Sequence, residues 1–200
     1  MTPYEIIGSP LNVWLAPVGE AFPTLDQAPA GNWQLLGTNG NRNHSEEGLT
    51  VRHSKSLNKA RPAGATGAVK AFLNEEDLMF SLVLWDMTLE QYAKALNDNA
   101  IATVAAGAGT VGYKKIGMSG SATAIKEFAL IARGPSPYDE TLNMQYCVPR
   151  CVDTGSASPV FRKATPAALQ LEFSALEDLG AANDEERFGY IIAAHAAALP

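Results

Sequence analysis

An excess of positive charge is the first thing missing. The chain sets 15 Lys and Arg against 21 Asp and Glu, a formal net charge of -6, so no overall basic field exists to release counterions from nucleic acid or to hold an anionic membrane. Tight nucleic-acid binding is therefore not expected. Long hydrophobic runs are missing as well, and nothing approaches the roughly 20 apolar residues of a membrane-spanning helix. The first 17 residues carry Glu5 and no Lys or Arg, unlike a secretory signal with its basic and apolar regions. Synthesis and assembly in a cytoplasm are expected. Cysteine and histidine are scarce. Cys147 and Cys151 flank Pro149 on an extended segment, where that spacing spans about 13 Å, beyond disulfide reach. Two free thiols follow. His44, His53 and His195 are scattered and leave a zinc site without its ligand set.

What is present is a folding composition: 46% hydrophobic residues with 17 Gly and 12 Pro among 200 residues, apolar enough for a core and rich in turns. One domain over residues 1–200 is the natural reading. Residues 12–18 and 33–37 read as short strands, and residues 20–31, with Pro23 and Pro29, as loop. Residues 49–59 alternate, setting Leu49, Val51, His53, Lys55 and Leu57 against the polar Thr50, Arg52, Ser54, Ser56 and Asn58. Two long loops are expected, at about 38–48 and 60–68. Residues 68–73 and 78–85 read as two strands of a hairpin whose tip is the acidic Asn74-Glu75-Glu76-Asp77. Thr88 with Gln91 marks a helix start running to Leu96, before Asn97-Asp98-Asn99. Strands follow at 113–118 and 125–133. Near 141–145, Thr141, Asn143 and Gln145 share one face, and in 167–175 Gln170 and Glu172 oppose Leu169, Leu171 and Phe173. Residues 188–198 fit either a final strand or an Ala-rich helix, which periodicity alone does not separate, with strand favoured in their first half. The tally is eight to ten strands and one helix, an antiparallel β-sandwich or barrel with a flanking helix.

Candidate chemistry resolves into ordinary structure. Gly107-Ala108-Gly109-Thr110-Val111-Gly112 matches the dinucleotide-binding expression, but no βαβ unit surrounds it and no helix opens after it, so it reads as a loop. His44-Ser45-Glu46 and His53-Ser54 are sequence neighbours, and neighbours on a strand point to opposite faces, which no triad tolerates. Glu75, Glu76 and Asp77 read as a solvated turn rather than a cation site. Trp14, Trp33 and Trp85 are dispersed, as core or subunit-contact anchors would be. No catalytic, cofactor or metal constellation emerges, and the chain is read as a non-enzyme.

Four segments carry a resemblance. They are Trp33-x-x-Leu36-Gly37 with Asn39-Gly40; Glu46-Glu47-Gly48-Leu49 entering a polar-faced strand; Glu76-x-Leu78-x-Phe80-x-Leu82 running into Trp85-Asp86-Met87-Thr88-Leu89-Glu90 and the helix; and the late strand 169–176 ending in Glu177-Asp178. In this order they resemble the tail tube proteins of long-tailed (siphovirus-type) bacteriophages, relatives of contractile-tail and secretion-system tubes. The resemblance covers most of residues 33–97 and the C-terminal third. It implies a virion subunit that closes into a hexameric ring and stacks into a hollow tail tube. DNA would pass through this tube at ejection without specific binding or membrane contact. By the same resemblance the partners are further copies of the chain, then tail terminator, tape measure and distal tail proteins. The expected lumen wall is Thr141, Asn143, Gln145, Gln170 and Glu172, or alternatively the Thr50 to Asn58 face, which Arg52 disfavours. Asn39, Arg42, Glu46, Glu47, Arg61 and Gly64 are the expected inter-ring or inter-subunit loop residues. The alternatives are a contractile-tail or secretion tube subunit, or a β-sandwich ligand-binding module.

Overall fold

Alternating side chains and frequent turns build strands that pair with their sequence neighbours. The computed structural model describes residues 5–37, 44–119 and 124–197. In chain order the elements are β1 (Asn12–Pro17), β2 (Gln34–Leu35), β3 (His44–Ala60), β4 (Lys70–Leu84), α1 (Leu89–Lys94), β5 (Ile101–Val104), β6 (Tyr113–Ile116), β7 (Glu127–Pro135), β8 (Asn143–Asp153), β9 (Leu169–Ala175) and β10 (Tyr190–Ala193). The main sheet runs β2-β1-β7-β8-β9-β4-β3 with β10 added on β8, and β5 and β6 form a separate hairpin. All pairings among the described residues are antiparallel, as the alternation requires.

The sheet wraps over its own core. Val13 and Leu15 of β1, Leu130 of β7, Val148 of β8, Leu169, Leu171 and Phe173 of β9, and Phe80, Leu82 and Leu84 of β4 join one buried cluster. Strands from both ends of the sheet path therefore face each other as a sandwich. Each such side chain contributes about 1.5–3 kcal/mol by leaving water. Phe128 meets Phe173 edge-on at 6.4 Å and Phe80 meets Tyr146 at 5.8 Å. On the reverse side of β1 and β7, Ala16, Ala129 and Ile131 are covered by Trp33 and Phe22. β7 is thus buried on both faces, which is why its sequence is a continuous apolar run rather than an alternation.

Several expectations are corrected. Asn74 to Asp77 is not a hairpin tip: β4 continues through it, with Glu75, Glu76 and Asp77 opposite Ser56, Lys55 and Ser54 of β3. The true turn is residues 61–69. The loop expected at 38–48 gives way to strand from His44 onward, so Glu46 and Glu47 stand in β3. They occupy its irregular first stretch, where the register jumps between His44 and Leu49 and Gly48 takes φ +64. The helix is shorter than expected. Thr88 stands at its N-cap with extended backbone but makes no side-chain cap bond, and instead its N–H donates to Asp86 Oδ1 at 2.9 Å. Asn97 and Asp98 end the helical run in the left-handed region. The Gly107 to Gly112 motif forms the turn of the β5–β6 hairpin, closed by a Gly107–Thr110 bridge.

Candidate assembly surfaces

The polar strand faces come together in an arrangement that the sequence divided differently. Pairing sets Glu172 beside Ser81, Gln170 beside Val83 and Ser174 beside Met79. The next register sets Ser81 beside Thr50, Met79 beside Arg52 and Asp77 beside Ser54. Since alternate residues share a face, Gln170 and Glu172 lie on the same sheet surface as Thr50, Arg52, Ser54 and Ser56. The Gln170 and Glu172 face and the Thr50 to Ser56 face are thus one surface. Its charged groups over this stretch are Glu75, Asp77 and Glu172 against Arg52, and Asp77 stands diagonal to Arg52. The face is therefore neutral to acidic.

Thr141, Asn143 and Gln145 belong elsewhere. Gln145 is fully buried, and no lumen can be lined by it. Its Oε1 accepts from Arg133 Nε at 3.0 Å and Nη2 at 2.5 Å, while its amide donates to Pro23 O at 2.9 Å. Arg133 also donates to Thr24 O at 3.0 Å and Gln27 O at 2.5 Å, and Asn143 donates to Leu25 O at 2.9 Å. These polar groups fasten residues 20–31 across β7 and β8 as a strap. Burial pushes the Arg133 pKa down, and the Cys147 thiol and Asp26 push it back. Thr141 is exposed but closes a local turn, donating to Asp139 Oδ1 from both its N–H and its hydroxyl. Sequence patterning missed Arg133 altogether. The available signal was an arginine directly opposite Gln145 in neighbouring strands, next to a strap whose prolines leave carbonyls as acceptors.

Beyond the core, β3 and β4 leave the sandwich as a two-stranded arm. β4 pairs with β9 only from Met79 to Leu84, so residues 70–78 have β3 alone. The arm carries Leu57, Val69, Phe72 and Leu73, each at least half exposed, and an isolated two-stranded ribbon is marginal in water. At its root Glu76 Oε1 bonds His53 Nε2 at 2.5 Å and Lys55 Nζ at 3.2 Å. These bonds hold the Glu76 carboxyl below its usual range, with Lys55 the larger influence. Arg61 and Gly64 sit exposed in the turn at the arm's end, Gly64 at φ +89. Asn39 and Arg42 lie outside the described residues. Among the described residues β3 has no partner strand along its far side, which leaves a 17-residue strand with an open edge.

Trp33 is buried, whereas Trp85 is 44% exposed, so the tryptophans divide between core and surface. Cys147 and Cys151 are free and buried. Burial raises both thiol pKa values, and for Cys147 bonds from Tyr190 and Gln145 oppose it. Neither is poised as a nucleophile. Among the described residues no three His, Cys, Asp or Glu side chains gather in a metal-holding group, and no helix is long and apolar enough to cross a membrane. No protein-family model matches the chain, and no curated protein is significantly similar to it.

Proposed function

We propose that the chain is a structural subunit of a long-tailed phage tail tube: copies close side by side into a hexameric ring, rings stack, and the hollow interior conducts DNA. The observation that carries this reading is the largely polar face that Gln170, Glu172 and Ser174 of β9, Ser81, Asp77 and Glu75 of β4, and Thr50, Arg52, Ser54 and Ser56 of β3 share, which ends at the open edge of β3. An open edge of this length is a template for another strand. Joining copies along it buries backbone donors and acceptors and extends the polar face around a closed wall. Glu172, Asp77 and Glu75 then give that wall a charge that repels phosphate, so DNA slides rather than sticks. The sandwich behind the wall supplies rigidity, and the arm supplies reach to neighbouring copies. Tail terminator, tape measure and distal tail proteins would meet the tube at its ends and inside it, in a virion assembled in the host cytoplasm. Negative-stain electron microscopy of the purified chain over a concentration series tests this. Hollow rings or tubes are expected, and a monodisperse monomer at every concentration would overturn the reading.

A further inference from the structure

Phe161 is 75% exposed at the tip of the connection between β8 and β9. That connection continues the strand pairing: Thr154 N–H donates to Glu172 O at 2.7 Å, and an Arg162–Thr165 bridge closes the tip, with Ala164 at φ 60. The tip therefore projects past the Leu169 end of β9, presenting Phe161 beside Arg162 and Lys163. Residues 154–168 include Asp or Glu nowhere. A large apolar side chain flanked by two cations thus stands in water at the tip, free to enter a cavity on another copy.

The other end of β9 holds a cleft. β9 stops at Ala175, and beyond it β10 takes over the edge of β8, pairing Tyr190 to Cys147 and Ala193 to Met144. β4 meanwhile runs on into the arm, and β10 and β4 do not pair. The gap between them has a volume of about 270 Å³, with Leu78, Tyr146, Phe188 and Ile191 among its walls, and with Glu185 and the Glu76–His53 pair, to which Lys55 is also bonded, beside it. Asp184 precedes Glu185 with its side chain 90% exposed and bonded to Arg187 at 2.7 Å. The cleft reaches the main core, because Leu78, Tyr146 and Phe188 pack against it. A cavity of roughly 150 Å³ already accepts benzene, so a phenyl ring fits.

We propose that Phe161 of one copy fills this cleft on the next, with Arg162 and Lys163 facing the carboxylates of Glu76 and Glu185. Tip and cleft lie at opposite ends of β9, roughly 20 Å apart along a seven-residue strand. The contact is therefore head to tail and can repeat from copy to copy. It rests on the self-assembly reading above and supplies that reading with its joint between successive copies along the strand direction.

Sedimentation velocity with electron microscopy on the full chain tests the joint. Phe161→Ala is expected to raise the concentration of half-assembly at least about tenfold, with an unchanged circular dichroism melt because the side chain touches little in its own copy. Arg162→Glu/Lys163→Glu and Asp184→Lys/Glu185→Lys are each expected to fail alone, since like charges then face each other, and to assemble when mixed, since both joints become complementary. If all three variants assemble as the unmodified chain does, the joint is wrong and the tube reading stands. If the unmodified chain forms solid linear chains that these variants abolish, the joint stands and the hollow tube is wrong. A chain that stays monomeric at every concentration overturns both.

Discussion

Replacing Arg133 by Met cuts the fastening between the strap and the sheet while keeping most of the side-chain volume. Arg133 is 6% exposed, and its guanidinium serves Gln145 Oε1 twice and the carbonyls of Thr24 and Gln27 once each. Methionine leaves those acceptors without their donor. Gln145 Oε1 is sealed from water, and a buried acceptor left unpaired costs about 1–3 kcal/mol. Thr24 and Gln27 sit on the outer strap, where water can replace part of the loss. The sum is about 3 kcal/mol, which for a chain of this length lowers Tm by about 6–12 °C. Thermal and urea unfolding would record it, with Cm shifted and m unchanged. Limited chymotrypsin digestion would show earlier cleavage after Leu25, in the middle of the strap, whose carbonyl Asn143 holds at 2.9 Å. Arg133→Met/Gln145→Leu removes both partners and should recover much of the loss, because the sealed Gln145 Oε1 is removed along with its donor and only strap carbonyls lose a bond. A single Met variant within about 0.5 kcal/mol of the unmodified protein, with Leu25 still protected, would refute the strap argument.

Gly189 takes φ +111, and a Cβ there would stand 2.0 Å from Cys147 O, so Gly189→Ala should cost at least about 2 kcal/mol in urea unfolding through strain and backbone displacement. Asp153 is raised above its ordinary 3.8, chiefly by burial and against its bonds from the Glu172 and Gly155 N–H groups. The folded state therefore holds its proton more tightly than the unfolded one, and the stability it adds, full below 3.8, is lost as pH rises through the folded value. Asp153→Asn should consequently be more stable than the unmodified chain at neutral pH, with the difference vanishing in acid, as paired melts would show. Asp77→Lys/Glu172→Lys makes the proposed lumen wall basic. Assembled tubes of that variant should retain DNA in a salt-dependent manner in a filter assay, where the unmodified tubes pass it.

The legible parts of the fold are those where one face is buried and the other wet. β9 reads Leu-Gln-Leu-Glu-Phe-Ser-Ala and is buried on the alternate residues, so its assignment and the exposure of Gln170 and Glu172 follow from pattern. The arm was illegible for the opposite reason. From Lys55 outward neither of its faces meets the core, so no periodic signal separates strand from turn, and Asn74 to Asp77 looks like a tip. Asn74 is in fact a bulge, the extra residue where the register shifts between Ser56 and Leu57. Gln145 failed differently. Alternation identified its face correctly, but which polar face carries a cover depends on the strap's long-range contact, more than 100 residues away in sequence. Arg133, in the same network, carried no local mark because its strand is buried on both sides.

An open edge strand and a stable free subunit make opposing demands, and β3 meets both. An edge of this length would aggregate if it were flat and apolar. Lys55, Lys59 and Arg52 charge it, the irregular stretch around Gly48 distorts one end, and the bulge at Asn74 twists the pair near the other. Lys55 is only half committed, because it shares Glu76 with His53. A neighbour that offers backbone partners along the regular middle, residues 49–56, gains hydrogen bonds that a misaligned chain would not. The two irregular ends thus fix a register for any strand that adds there, since a slip of one residue turns the polar wall inward and the apolar row of Leu49 and Val51 outward. Selectivity of assembly on this account lies less in the strength of the edge than in the narrow window of the edge that is fit to pair.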